Sequence, residues 1–209
     1  MSKIIIYQML PRLFGNSNAQ CVTNGTIEQN GCGKFNDITA KALKAIRELG
    51  ATHVWYTGVI EHTTRSNYSK YGIPTDHPAI VKGEAGSPYA ICNYYDVNAY
   101  LADDPENRMA EFESLIKRTH EAGLKVIMDF VPNHVSRDYG KIEPTPGHPI
   151  LGAADDKNIH WKAENDFFYY PGETLTLPTP APEGMNPYHE CPAMATGNNC
   201  YNSHPGIND

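Results

Sequence analysis

Apolar residues along this chain fall into two rhythms. They form short runs at 4–6, 52–56 and 124–131, and between the runs they recur every three or four positions. Runs of four to eight suit strands covered on both faces, while the three-four spacing suits helices laid on a sheet. Residues 4–10 are predicted as the opening strand. Asp37 can cap a helix whose apolar side is Thr39, Ala42, Leu43, Ile46 and Leu49, with Gly50 as its stop before the strand 52–56. Asp104, followed by Pro105 at the first helical position, can cap a second helix through Phe112, Leu115, Ile116 and Thr119, stopped at Gly123 before the strand 124–131. The order is β-loop-α-β-loop-α-β. Strands joined through helices run parallel, and their crossovers are right-handed by default.

The connections are unequal. Loops after strands are long, roughly 11–36, 61–103 and 135 onward, while turns after helices are two or three residues around a Gly. In parallel α/β folds the loops leaving strand C-termini build the site, so chemistry is expected there. The third run ends in Asp129-Phe130-Val131-Pro132-Asn133-His134, an apolar strand breaking into a carboxylate, an amide and an imidazole. Pro132 cannot donate to a ladder, so pairing should stop by that point.

From Ser136 onward the texture changes, with ten of the sixteen prolines in 136–209, Pro178-Thr179-Pro180-Ala181-Pro182 among them. This reads as loop-rich structure. Trp161, Phe167, Phe168, Tyr169, Tyr170 and Tyr188 still provide aromatic mass for a small core or for the lining of a cleft.

Composition narrows the function. A net charge of −7 without a Lys/Arg cluster leaves no electrostatic footprint for nucleic acid or an anionic membrane. No window is long and apolar enough to span a bilayer, and no cleavable leader precedes residue 4. The five cysteines, at 21, 32, 92, 191 and 200, contain no Cys-x-x-Cys pair, which argues against a zinc ribbon. Cys191 and Cys200 are near enough in sequence to bridge in an oxidising compartment, and reduced thiols fit equally well. The compartment stays open, with a periplasmic or extracellular one slightly favoured. Gly31-Cys32-Gly33-Lys34 lacks the first Gly and the Ser/Thr of a phosphate loop, since Glu28 and Phe35 stand there. His189, Cys191, Cys200 and His204 match no standard metal spacing, and the sequons at Asn24 and Asn67 are common by chance.

Four segments, in order, resemble the α-amylase family of glycoside hydrolases. Ile6-Tyr7-Gln8-Met9-Leu10-Pro11-Arg12-Leu13-Phe14 is similar to the family's first barrel strand, and Leu49-Gly50-Ala51-Thr52-His53-Val54-Trp55-Tyr56-Thr57-Gly58-Val59 to its second. Ser87-Pro88-Tyr89 with Tyr94-Tyr95-Asp96-Val97-Asn98 resembles the following loop, and residues 126–134 carry Asp-x-x-x-Asn-His at the third strand's tip. The resemblance implies a partial (β/α)8 TIM barrel over 1–135, then the start of a loop-rich inserted domain over 136–209. It implies an α-1,4-glucan substrate, such as starch, glycogen or a maltooligosaccharide, cleaved with retention through two carboxyl groups. The family draws those carboxylates from the fourth and fifth strands, so neither is assigned here and the 209 residues alone are expected to be inactive. The other expected partner is the rest of the same polypeptide.

By the same resemblance Asp129 is an active-site support, the partner of an Arg on the fourth strand that orients the nucleophile. His134 donates to a sugar hydroxyl, Tyr89 stacks on that sugar, and Asn133 is a calcium ligand. Each position has a plainer alternative. Asp129 can cap its loop, His134 can be a packed histidine, Tyr89 is one of thirteen tyrosines, and Asn133 can stabilise a turn. Two other functions remain in view: a non-catalytic carbohydrate-binding or interaction module, and a flavodoxin-like nucleotide binder with the same βαβαβ order. The second lacks a Gly-rich loop after residues 4–10.

Overall fold

The computed structural model describes residues 3–141, 147–175, 177 and 183–195. Cys200, His204 and the run 178–182 lie outside them. Strand β1 (Ile6–Met9), β2 (His53–Tyr56) and, later in the chain, β5 (Lys125–Met128) form a parallel sheet in the order β1-β2-β5. Their register runs from Ile6↔His53↔Lys125 to Met9↔Tyr56↔Met128. A one-turn α1 (Ile27–Asn30) precedes α2 (Ala40–Glu48), which joins β1 to β2, and α3 (Arg108–Glu121) leads into β5. The parallel order read from the two rhythms is therefore present.

The helices cover one face of the sheet. Tyr7, Val54 and Val126 share a row, as do Met9 and Tyr56, and they pack against Leu43, Ile46, Phe112 and Leu115. The Tyr56 hydroxyl meets Thr119 Oγ1 at 2.6 Å inside this layer, which explains a fully buried threonine on α3. Alternation along the strands puts Gln8, Trp55 and Ile127 on the opposite face. There no helix covers the sheet, and Ile6 at its margin is exposed. A mixed α/β fold with one covered face results.

Several local expectations are corrected. Thr39, not Asp37, caps α2, accepting from Ala42 N at 3.2 Å. Asp37 closes a 3-10 turn ahead of it, and its carboxylate accepts from Lys34 N at 2.7 Å. Leu49 is 76% exposed because the helix has ended and the chain turns at Gly50; the buried positions are Leu43 and Ile46, with Ile38 before the helix. Asp104 does cap, but over a 3-10 turn (Pro105–Asn107) that runs into α3. The third strand stops at Met128, not at 131, and Phe130 is 69% exposed.

The second long loop contains structure the pattern did not reveal. Strands β3 (Ile60–His62) and β4 (Ile91–Val97) pair antiparallel, with register shifts on both sides of Glu61. Those shifts break the strict alternation by which a strand is read from sequence. An ion pair holds β4 to α3, the Arg108 Nε lying 3.0 and 3.1 Å from the two Asp96 oxygens. Within 136–209, β6 (Phe168–Tyr170) pairs antiparallel with β7 (Ala193–Ala195) around buried Tyr169, and Arg137 meets Glu190 at 2.8 Å. The described residues of that region are mostly loop and turn, with this one small sheet.

Candidate active site

The site is assembled where the parallel strands end. β5 releases the chain at Asp129, which alternation directs to the same face as Ile127 and Trp55. Trp55 lies on the adjacent strand in register with Ile127, and its indole Nε1 donates to Asp129 Oδ1. The other oxygen, Asp129 Oδ2, is buried with no hydrogen-bond partner among the described residues. A carboxylate oxygen in that position is costly unless something else meets it.

Beyond Asp129 the chain is pinned by Tyr94 of β4, whose hydroxyl donates to the carbonyl of Val131 and lies 3.3 Å from that of His134. The loop thereby shapes a cavity of about 600 Å³ lined by Tyr94, Phe130, Asn133, His134, Tyr139 and Phe167. Asn133 is exposed, with Nδ2 3.3 Å from His134 Nδ1, and His134 is half-buried. Three of the four sequence-selected residues thus lie on one short loop at the C-terminal end of β5. Two of them, Asn133 and His134, share a cavity.

Tyr89 is placed differently. It is 41% exposed and lines a second cavity of about 600 Å³ with Arg12, Cys32 and Tyr100. Its loop is fastened tightly over the tips of β1 and β2. Arg12 Nη1 donates to Gly86 O at 3.0 Å, and a Cβ on Gly58 would stand 2.8 Å from Pro88 and 3.1 Å from Leu10. The same end of the sheet therefore carries both cavities, with His134 in one and Tyr89 in the other.

Two buried polar groups behind the site were not singled out from the sequence. His62, 1% exposed, has Nε2 2.9 Å from the Tyr100 hydroxyl and its other ring nitrogen against Asn98. Burial, with the Arg12 charge adding to it, holds its pKa down at about 3, so the ring is neutral. Glu61, 3% exposed, accepts from Asn93 Nδ2 at 2.9 Å through one oxygen, while the other has no partner among the described residues. Burial pushes its pKa up to about 7, against the Asn93 hydrogen bond. The cue available was the polar pair Glu61-His62 directly after the apolar Val59-Ile60.

Calcium takes six to eight oxygen ligands. Among the described residues no group of three or more His, Cys, Asp or Glu side chains is gathered to hold a metal. Asn133 offers one amide oxygen toward that number. Nor, among the described residues, is any helix long and apolar enough to cross a membrane.

The family model described as alpha amylase, catalytic domain, matches residues 8–183. The chain belongs to the α-amylase family. The match spans both strand-tip cavities and most of the loop-rich region. A probable oligo-1,6-glucosidase of Bacillus subtilis is 28% identical over 177 residues, which is 84% of this chain and 23% of that protein. Maltase A1 of Drosophila melanogaster is 28% identical over 63% of this chain and 17% of its own length. Among solved structures, an α-amylase of Lactobacillus plantarum is 28% identical, with a TM-score of 0.45 over 66% of this chain and 24% of that one. This α-amylase-family chain spans less than a quarter of the length of the curated relatives it matches first.

Proposed function

We propose that this chain supplies the first three β/α units of a (β/α)8 barrel, with residues 136–209 beginning an inserted domain, in a retaining glycosidase that acts on α-1,4-glucans. The observation that carries this reading is Asp129, a carboxylate at the tip of a parallel strand with one oxygen held by Trp55 and the other buried without a partner among the described residues. A cation arriving from a further strand would meet that oxygen, and the family resemblance implies an Arg beside the nucleophile in that role. The uncovered face of Gln8, Trp55 and Ile127 supports the same reading, because it needs further strands to close over it.

In this scheme His134 donates to a hydroxyl of the sugar at the cleavage point, and Tyr89 presents its ring to the apolar C–H face of a sugar. Asn133 contributes one oxygen to calcium only if further oxygens come from outside the described residues. The nucleophile and the acid/base lie on strands not contained in these 209 residues. The chemistry they perform is attack on the anomeric carbon to form a glycosyl-enzyme, with protonation of the departing oxygen and later activation of water.

The test compares the 209-residue chain with the full-length protein on soluble starch and maltooligosaccharides, following reducing ends and anomeric configuration. Full-length turnover with retention, and none from the isolated chain, is expected. Turnover by the isolated chain, inversion, or sugar binding without turnover by the full-length protein would overturn the reading; the last outcome would make this a carbohydrate-binding module.

A further inference from the structure

The Trp55–Asp129 contact joins two strands through their side chains at the end where the site lies. Trp55 and Ile127 are register partners, so Asp129, two residues further on, is the diagonal neighbour of Trp55 on the same face. A diagonal distance of about 7–8 Å is within reach of an indole. The indole Nε1 carries one proton, cannot accept, and points in the plane of a rigid ring. A donor of that kind fixes the orientation of the carboxylate it meets and leaves the second oxygen directed elsewhere, in this case buried and without a partner among the described residues. A Phe at the same position would keep an aromatic ring there, though a smaller one, and make no such bond.

We propose that Trp55 is a positioning residue for Asp129: its indole N–H sets the plane of the carboxylate so that Oδ2 is presented to a cationic partner at the strand tips. The inference rests on the reading of Asp129 as an active-site support. Trp55 touches no substrate in this account; it acts through Asp129. The strand supplying Trp55 is held from behind by Val54 and Tyr56, both fully buried, so the indole is displayed from a rigid element.

The experiment uses the full-length protein and the variants W55F, D129N and W55F/D129N, with two readouts. In kinetics on a maltooligosaccharide, W55F is expected to lower kcat by about tenfold or more while KM stays within about twofold, as for a misoriented supporting group. The double variant should be no slower than D129N alone. In NMR, the Trp55 indole proton should move upfield in D129N, a readout that needs no turnover. Unchanged kcat in W55F, additive losses in the double variant, or an indole resonance indifferent to D129N would each overturn the proposal. Wild-type protein inactive on every α-glucan tested would instead defeat the glycosidase reading, and the indole resonance would still decide whether Trp55 orients Asp129.

Discussion

Replacing Glu61 with Gln tests whether a carboxyl group is buried at a net cost beside the site. Glu61 is 3% exposed; its Oε2 accepts from Asn93, and its Oε1 accepts from nothing among the described residues. Burial is the largest influence and raises the pKa from 4.5 to about 7, with Asp96 and Asp76 raising it further and Asn93 and Arg108 opposing. A folded-state pKa above the unfolded one means that the folded protein binds the proton more tightly. Stability is therefore full below about pH 4.5, declines as pH rises to about 7, and is level above that. The interval from 4.5 to about 7 corresponds to about 3 kcal/mol at most. Gln keeps the acceptor for Asn93 and cannot ionise. Relative to wild type, E61Q should be about 0–2 kcal/mol less stable at pH 4.5, the cost of burying two amide N–H donors without acceptors, and about 1–3 kcal/mol more stable at pH 8, where that constant cost is set against the pH-dependent gain. Urea unfolding followed by circular dichroism at half-unit pH steps measures the difference, and differencing removes the other titrating groups. A variant less stable than wild type at pH 8, or a difference that does not change with pH, would refute the reasoning.

Two further substitutions probe the frame around the site. At Gly86 (φ +73°) an added Cβ would stand 1.8 Å from the Thr63 carbonyl oxygen, so G86A should cost about 1–3 kcal/mol, seen as a lower Tm, and should raise KM by displacing the Tyr89 loop. Leu115 of α3 is fully buried between helix and sheet, and L115A should cost about 2–5 kcal/mol in chemical denaturation without altering the ligand preference of any activity that remains.

Much of the parallel frame was legible because its signals are local. The three-four spacing of Leu43 and Ile46 and of Phe112, Leu115 and Thr119 marks helices with one buried face, and Gly50 and Gly123, both at positive φ, end the turns before β2 and β5. Asp129, Asn133 and His134 stood out for the same reason, as polar residues closing an apolar run. The hairpin of β3 and β4 did not stand out, since its pairing slips on either side of Glu61 and strand alternation is lost. One cap shifted by two residues, from Asp37 to Thr39, because either side chain can accept a backbone N–H and only the path of the preceding 3-10 turn selects between them.

Sequence alone determined the order of β1, α2, β2, α3 and β5 and the parallel sense of those three strands, since each follows from periodicity and chain-stop residues acting over a few positions. Tertiary structure decided which side chains meet. Trp55 and Asp129, 74 residues apart, become partners only through the register of β2 with β5. Tyr89 and His134 line different cavities because the loop carrying one is strapped to β1 while Tyr94 pins the other. Glu61 owes its shifted protonation to burial beneath distant segments that bring Asp76, Asn93, Asp96 and Arg108 beside it, and His62 owes its own to burial with Arg12 nearby; burial of that kind is a property of the assembled fold that no short stretch of residues encodes.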